Sequence, residues 1–428
     1  MPVKKEILRA YEVWRYDGLK ALGSKVIKRL SPGSYWTGYS QEARVFASWL
    51  DYSQQEKERS QQVHMDNPGM LDIRSITWFL PEFQHPYFGG IYTLLRFAEY
   101  LKRNKGVEHR FMILGSMDET QAAEKIASSF PALAGQEVGV VNLYHPIENL
   151  EQTDAGIATL WGTAYFLLRF NQTRRKFYFI QDYEPLFYPA GSISAQVEAS
   201  YRFGYYGIAN TPTIRKIYEE QYGGKAEHFL PCVDTEIFYP DKSGSSNVPD
   251  PLTVFFYARP DHPRNGFELG AQALRLLKQR MGKRVRILAA GGNWKPRDYD
   301  LQGVVENLGL LGYRQTADLY RSCQVGLVMM FTRHPSYLPL ELMASGCLVV
   351  TNLNPATRWL LNDRENCRLS EASATCLADV LEDALVDRDS RERITANATR
   401  LIQTSFSNWE QEIEKIYRYM CDPSCASE

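Results

Sequence analysis

Two carboxylates follow a strongly apolar run near the middle of the chain. Residues 176–181 read KFYFIQ, and Asp182 and Glu184 come directly after them. A carboxylate just past the end of a strand can face a ligand crevice, where it can orient or deprotonate a hydroxyl group. Asp182 is the stronger candidate for a catalytic base because it continues the strand directly. The alternative is that both are ordinary loop carboxylates.

Two arginines follow a second apolar run. The run LTVFFYA, residues 252–258, leads into Arg259 and Arg264, and Gly266 comes two residues later. Guanidinium groups beside the free N–H groups of a helix N-terminus suit a diphosphate. The sequence therefore predicts a diphosphate site here, and an Arg-rich surface turn is the alternative.

Two pairs of glycines lie at predicted junctions between a strand and a helix. Gly89 and Gly90 precede a predicted helix, and Gly291 and Gly292 come at the end of a predicted strand. Glycines at such places let a ligand approach the backbone closely. The alternative for the first pair is an ordinary Gly-rich turn between a strand and a helix.

A single glutamate, Glu341, lies in a short and otherwise apolar predicted helix. Pro339 suits the first turn of that helix and Gly346 suits the position just past its end. An acidic residue at such a place can accept hydrogen bonds from sugar hydroxyls, as the acidic residue of dinucleotide folds does with ribose. The alternative is that Glu341 only complements the helix dipole.

The elements that must position these residues are strands that alternate with helices from about residue 71 onward. Such alternation indicates parallel sheets covered by helices on both faces. In the first half of the chain the predicted strands are Ser75–Leu80, Arg110–Leu114, Gly139–Leu143, Ile157–Thr159, Lys176–Gln181, Gly207–Ala209 and His228–Leu230. In the second half they are Leu252–Ala258, Val285–Ala289, Val304–Glu306, Val325–Phe331 and Leu348–Thr351. Predicted helices include Gly90–Lys102, Asp118–Ser129 and Trp409–Met420.

The predicted fold class is α/β, with two doubly wound Rossmann-like domains that face each other across a cleft. The segment 240–251, PDKSGSSNVPDP, is the clearest linker. We expect a helical extension over 1–70, a first domain over 71–245, a second domain over 246–405, and a terminal helix in 406–428 that crosses back to the first domain. Ligands of open parallel sheets lie outside the carboxyl ends of the strands. The predicted site is therefore the cleft.

Composition excludes several classes of protein. The 428 residues carry a formal net charge of −1, which gives no bias towards nucleic acid. Seven scattered cysteines, mostly in apolar surroundings, indicate reduced thiols and a cytoplasmic protein. No apolar run approaches the roughly 20 residues that span a bilayer. Residues 1–30 are basic and have helix-like spacing; they are either a helix packed on the body of the protein or a peripheral contact with the inner face of the plasma membrane.

The ordered motifs of the second half resemble the C-terminal half of a GT-B glycosyltransferase of the large retaining group that includes sucrose and glycogen synthases. That group carries R-x(4)-K-G after the first strand and E-x(7)-E before P-V-V. The finer pattern resembles the bacterial rhamnosyltransferases of rhamnan and surface-glycan synthesis, and the resemblance covers residues 75–420. The segments that carry it are FLPEF (79–83), YFIQDYE (178–184) and HPSYLPLE (334–341).

The resemblance implies a role for each candidate residue. Arg259 and Arg264 would hold the donor diphosphate, close to Gly89 and Gly90, and Arg264 stands where the family usually has lysine. Glu341 would bind the nucleotide ribose. The backbone contacts to the nucleotide would come from Gly291, Gly292, Gly312 and Tyr313. Asp182 or Glu184 would act on the acceptor hydroxyl.

This chain departs from the family at one position. Arg333 stands eight residues before Glu341, where the broad family has the first glutamate of its pair. That glutamate grips hydroxyl groups of a hexose, so its absence argues against a glucose-type donor and is compatible with a deoxysugar. Arg333, His334 and Tyr337 would line the sugar pocket instead, although His334 and Pro335 can also be a simple turn.

The resemblance implies a glycosyltransferase that moves L-rhamnose from dTDP-L-rhamnose onto a growing cell-surface polysaccharide. The acceptor would be an oligosaccharide or polysaccharide, free or lipid-linked, and the reaction would retain configuration and need neither a metal nor a cofactor. The alternatives with this architecture are a nucleotide-sugar epimerase and a non-catalytic sugar-binding subunit. A phosphorylase would need a cofactor lysine, and the chain has none between Lys295 and Lys415.

Overall fold

Two parallel sheets form the framework of the protein. In the computed structural model, residues 37–86, 89–142, 146–241 and 251–426 are described. The basic segment 1–30 and most of the predicted linker lie outside these ranges. The first sheet contains β1 (Ser75–Pro81), β2 (Glu108–Leu114), β3 (Glu137–Val141), β4 (Thr153–Ala158), β5 (Thr173–Ile180), β6 (Tyr206–Asn210) and β7 (Lys225–Phe229). The second contains β8 (Leu252–Tyr257), β9 (Val285–Ala290), β10 (Glu306–Asn307), β11 (Val325–Leu327), β12 (Leu348–Asn352) and β13 (Arg368–Ser370).

Helices connect the strands and cover both sheets. In the first half of the chain they are α1 (Thr37–Trp49), α2 (Gln54–Asp66), α3 (Gly89–Lys105), α4 (Glu119–Ser129), α5 (Trp161–Arg169), α6 (Ser192–Ser200) and α7 (Pro212–Tyr222). In the second half they are α8 (Phe267–Met281), α9 (Tyr313–Ser322), α10 (Leu338–Ala344), α11 (Ala374–Val386), α12 (Arg388–Ser405) and α13 (Trp409–Cys421). No helix among the described residues is long and apolar enough to cross a bilayer.

Each sheet is doubly wound. The strand order is β3-β2-β1-β4-β5-β6-β7 in the first sheet and β10-β9-β8-β11-β12-β13 in the second, and the pairings are parallel. The strands are apolar on both faces, as in β1, where the five central residues are buried. Strands of this kind need helices on both sides. The predicted pair of doubly wound domains is therefore confirmed.

The last helix, α13, returns to the first domain. Ile413, Ile416 and Tyr419 join the core formed by strands of the first sheet, together with aromatic residues such as Phe177 and Phe229. These side chains recur at helical spacing and form one apolar stripe, which a terminal helix must bury against a neighbouring surface. The helix thus ties the end of the chain to the domain that precedes the linker.

The predicted strands are present, with bounds that differ by a few residues at most places. β11 is the informative difference, because it ends at Leu327 although the apolar run continues to Phe331. Beyond Leu327 the side chain of Asn352 replaces the backbone partners that a neighbouring strand would supply. It accepts from the N–H of Met330 and donates to the carbonyl of Met330. The chain therefore leaves the ladder there and turns towards the cleft. Sequence patterns did not predict the short edge strand β13.

Candidate functional site

Asp182 of the first domain faces Arg264 of the second domain. Asp182 follows β5, and one of its carboxylate oxygens lies 3.8 Å from a guanidinium nitrogen of Arg264. The N–H of Tyr183 donates to Asp182 at 2.7 Å. Burial raises the pKa of Asp182 to about 6, while Arg264, Tyr183 and the hydroxyl of Thr332 oppose that rise. The result is a carboxyl group that ionises just below neutral pH, beside a fixed cation.

Glu184 turns inward, away from this pair. Its Oε2 accepts from the backbone N–H of Trp161 at 2.6 Å and from the hydroxyl of Tyr178 at 3.1 Å. Burial raises the pKa of Glu184 to about 8. The bond to Trp161 occupies one of the free N–H groups at the start of α5. These bonds hold Glu184 against the start of α5, next to the turn that carries Asp182, and its catalytic role stays a prediction.

Arg259 and Arg264 lie on the turn between β8 and α8. Arg259 is 2.7 Å from Nε2 of His262, and the guanidinium of Arg264 lies 4.3 Å from the ring centroid of Phe187. Burial lowers the pKa of His262, and both arginines lower it further. The two predicted diphosphate ligands are therefore close to one imidazole, and they outnumber the one acidic residue of the turn, Asp261.

The glycine pairs allow close packing at the two strand ends. A Cβ on Gly90 would lie 2.5 Å from the side-chain nitrogen of Gln181, at the start of α3. Gly291 has φ of 118°, and a Cβ there would lie 2.8 Å from Tyr257 and 3.3 Å from the side chain of Arg259. A side chain at Gly90 would displace the amide of Gln181, and a side chain at Gly291 would strain the backbone at its positive φ. Gly291 and Gly292 therefore belong to the surroundings of Arg259, as the predicted site requires.

Glu341 lies in the first turn of α10 and close to Tyr313, the first residue of α9. Burial, together with the nearby carboxylate of Asp234, raises the pKa of Glu341 to about 8. Burial also raises the pKa of Tyr313, with Glu341 as the next contributor. Gly346 has φ of 76° just past the helix, as predicted. The residues predicted to contact ribose and base are thus neighbours in the second domain.

The three residues predicted to line the sugar pocket differ in burial and in their hydrogen-bond partners. His334 is buried, and its Nδ1 accepts from the N–H of Ser336 at 2.9 Å, so that Nε2 carries the proton. Within the described ranges this Nε2 has no hydrogen-bond partner. Burial and Arg264 lower the pKa of His334 to about 3, which keeps the ring neutral. Tyr337 reaches across to the first domain, where the hydroxyl of Thr93 is 3.0 Å from its own. Arg333 is exposed.

Sequence reasoning missed a cluster of polar contacts at the connection between the domains. Arg96 of α3 makes two bonds of 2.6 Å to Asp234, which follows β7 on the way to the second domain. The hydroxyl of Tyr313 donates to Asp234 at 3.1 Å, and Arg96 stacks on Trp409 of α13. An arginine on an amphipathic helix and an aspartate in a connection carry no distinguishing pattern in the sequence, so no signal pointed to this cluster.

Family models match both domains. The model described as "WsaF, N-terminal domain" matches residues 79–213, and "WsaF, C-terminal domain" matches residues 252–382. The chain is 41% identical over 348 residues to the O-antigen biosynthesis protein RfbC of Myxococcus xanthus, a match that covers 81% of this chain and 27% of that protein. The chain thus spans about a quarter of that relative's length.

Solved structures share the fold at low sequence identity. HepE from Anabaena, solved in complex with UDP and glucose, has a TM-score of 0.63 and 16% identity, and the match covers 82% of this chain and 100% of HepE. Sucrose-phosphate synthase from Thermosynechococcus elongatus has a TM-score of 0.60 and 14% identity, over 82% of this chain and 100% of the synthase. These likenesses concern the fold, and they confirm the predicted GT-B arrangement. Since the two matched WsaF ranges together span more than half of the residues, this chain belongs to the WsaF family of GT-B-fold proteins.

Proposed function

We propose that this chain is a glycosyltransferase that moves L-rhamnose from dTDP-L-rhamnose onto a growing cell-surface polysaccharide. The observation that carries the proposal is the juxtaposition of Asp182 and Arg264 across the cleft at 3.8 Å. Glycosyl transfer needs a group that accepts the proton of the acceptor hydroxyl and a cation that stabilises the leaving diphosphate. The description of the Myxococcus relative as an O-antigen biosynthesis protein supports a surface polysaccharide as product.

In this mechanism the second domain holds the donor. Glu341 accepts hydrogen bonds from the ribose, the chain around Tyr313 contacts the base, and Arg259 and Arg264 neutralise the diphosphate. The charge that develops on the leaving group is then met by preorganised cations and needs no metal. Asp182 orients the acceptor hydroxyl and takes its proton as the bond to the sugar forms.

Attack on the same face as the departing group, with retention, fits this site better than a double displacement. A double displacement needs a nucleophilic carboxylate about 5 Å from its acid/base partner. Glu184 is the nearest candidate in sequence to Asp182, but its carboxylate is held by Trp161 and Tyr178. A carboxylate that is buried and bonded in this way cannot approach a sugar carbon without disrupting the start of α5.

A deoxysugar donor is proposed from the composition of the pocket. The exposed Arg333 replaces an acidic residue that would grip hexose hydroxyls, and the neutral ring of His334 offers one N–H donor from a buried position. A pocket with fewer acidic groups forms fewer bonds to a fully hydroxylated hexose. A 6-deoxyhexose has one hydroxyl group fewer and therefore needs fewer hydrogen-bond partners from the pocket.

Calorimetry and a product assay test the proposal. We expect dTDP to bind more tightly than UDP or GDP, and we expect dTDP-L-rhamnose to be consumed only when a synthetic rhamnoside acceptor is present. NMR of the product should show a linkage that keeps the anomeric configuration of the donor sugar. Arg259→Ala should abolish dTDP binding. Release of nucleotide without acceptor would favour an epimerase, and the absence of any donor consumption would favour a non-catalytic subunit. Binding of UDP but not dTDP would remove the rhamnose proposal and keep the transferase.

A further inference from the structure

Asn210, the last residue of β6, has a buried amide that the proposed mechanism does not use. Its side chain is 1% exposed, and neither its oxygen nor its nitrogen makes a hydrogen bond of good geometry among the described residues, although the amide lies within reach of the hydroxyl of Tyr337. Leaving a buried polar group unpaired costs a protein about 1–3 kcal/mol, and the large majority of buried side-chain amides are paired. Even with one weak bond to Tyr337, this amide at the carboxyl end of a parallel strand keeps an acceptor and a donor unused, and it is therefore a candidate ligand contact.

The strand register places Asn210 beside the start of α3. Ile180 of β5 is paired with Ala209 of β6, so the next residues along, Gln181 and Asn210, are neighbours at the carboxyl edge of the sheet. Gln181 in turn packs directly on Gly90 at the start of α3. Asn210 therefore lies in the part of the cleft where the glycine pair and the helix N-terminus would meet the donor diphosphate.

The second domain approaches the same point through Tyr337. Its hydroxyl is 3.0 Å from that of Thr93, one turn further along α3 than Gly90. Burial raises the pKa of Tyr337, and hydrogen bonds from the hydroxyl of Thr93 and the amide of Asn210 oppose that rise, so the amide lies within reach of the phenol. Three uncharged polar side chains from both domains thus lie together where the domains meet: Thr93, Asn210 and Tyr337.

Backbone strain accompanies Asn210. The next residue, Thr211, has φ of 105°, a value that a β-branched residue rarely adopts and that costs on the order of 1–3 kcal/mol. The turn is held in place because the N–H of Thr211 donates to Phe229 and the hydroxyl of Thr211 caps α7 at Ile214. Strain of this kind concentrates at ligand sites. Here it fixes the end of β6 and hence the position of the Asn210 amide.

We propose that Asn210 binds a pair of adjacent hydroxyl groups on the sugar of the donor and that it is a specificity-determining residue contributed by the first domain. This inference rests on the proposed transferase function. An amide offers an acceptor oxygen and a donor NH2 group side by side, and two neighbouring hydroxyls can satisfy both at once. A site built to bond a hydroxyl rejects analogues that lack it, because its own polar group is then left unpaired.

The test separates recognition of the sugar from recognition of the nucleotide. Calorimetry would compare dTDP with dTDP-L-rhamnose, and UDP with UDP-glucose, on wild type, Asn210→Ala and the isosteric Asn210→Asp. We expect the affinity for dTDP-L-rhamnose, relative to that for dTDP, to fall about tenfold in both variants, because one or two hydrogen bonds to the sugar are lost. The affinity for dTDP itself should stay within about twofold of wild type.

The matched control is Thr213→Ala, three residues further along the chain. The hydroxyl of Thr213 donates to the carbonyl of Ala356 at 2.9 Å and so joins the same two domains. Its removal should leave the affinity ratio unchanged. An equal change in the affinities for dTDP and dTDP-L-rhamnose, or no change, in both Asn210 variants would overturn the inference and leave Asn210 as a structural residue. Failure of wild type to bind either nucleotide sugar would instead overturn the proposed function, and the inference with it.

Discussion

Two ion pairs of opposite character lie where the two domains come together. At the cleft, Asp182 and Arg264 are 3.8 Å apart, and the Arg264 side chain is 40% exposed. At the connection between the domains, Arg96 and Asp234 are joined by two bonds of 2.6 Å, and their side chains are 17% and 21% exposed. We call these the cleft pair and the hinge pair.

The difference between the pairs indicates that the cleft pair serves ligand binding and the hinge pair serves stability. A single contact of 3.8 Å to an arginine that is 40% exposed contributes little to stability, although Asp182 itself is only 18% exposed, so a diphosphate can displace Arg264 from Asp182 at small cost. A bidentate and largely buried pair is costly to break, because the remaining charge would be left without its partner. The hinge pair is further supported by the hydroxyl of Tyr313 and the ring of Trp409. We therefore expect cleft variants to change chemistry and hinge variants to change folding.

The largest effect is expected from Asp182→Asn. Loss of the base should lower turnover by about 10²–10⁴-fold, with little change in donor affinity. In wild type, turnover should rise with pH up to about 6 and then level off, because Asp182 must be ionised and its pKa is about 6. A pH–rate profile measures both. Turnover in the variant within threefold of wild type would refute the role of Asp182.

The second effect concerns the other member of the cleft pair. Arg264→Ala should weaken dTDP binding by about 30–100-fold, since a charge-assisted bond to phosphate is worth about 2–3 kcal/mol. Arg264→Lys is the matched control; it keeps the charge and should retain most of the affinity. The alanine variant should also move the pH–rate midpoint upward, because Arg264 lowers the pKa of Asp182. Unchanged affinity in Arg264→Ala would contradict the diphosphate site.

A substitution in the hinge pair should lower stability rather than donor affinity or turnover. Asp234→Asn leaves Arg96 without a charged partner and should destabilise the protein by about 2 kcal/mol, less than the 3–5 kcal/mol of a fully buried pair because both side chains keep some exposure. Urea unfolding followed by tryptophan fluorescence measures this change. The Asp182→Asn protein serves as the comparison and should unfold within about 0.5 kcal/mol of wild type. Equal destabilisation by both substitutions would remove the distinction between the pairs.

Sequence patterns predicted the fold and the members of the cleft pair, and physical reasons explain what they missed. Apolar runs predict the parallel strands, and residues at the carboxyl ends of such strands must lie at one edge of the sheet. Asp182, Arg264 and Glu341 could therefore be predicted as site residues from the sequence. The inward turn of Glu184 depends on the N–H of Trp161, which lies 23 residues earlier in the chain. Likewise the hinge pair joins residues 138 positions apart. Contacts of this kind follow from packing, which periodicity does not encode.

Glu184→Gln tests the smallest expected effect, which is the difference in role between the side chains of Asp182 and Glu184. The folded protein holds the Glu184 proton with a pKa of about 8, against an ordinary value of 4.5. Wild type therefore has the full stability from this group below pH 4.5 and loses it as pH rises through about 8. Glutamine carries no charge and can still accept from Trp161 and Tyr178. Relative to wild type, the variant should gain about 1–2 kcal/mol between pH 6 and pH 7.5, measured by urea unfolding, while its turnover stays well above that of Asp182→Asn. A turnover as low as that of Asp182→Asn would instead show that Glu184 acts in the chemistry and that the two carboxylates work as a pair.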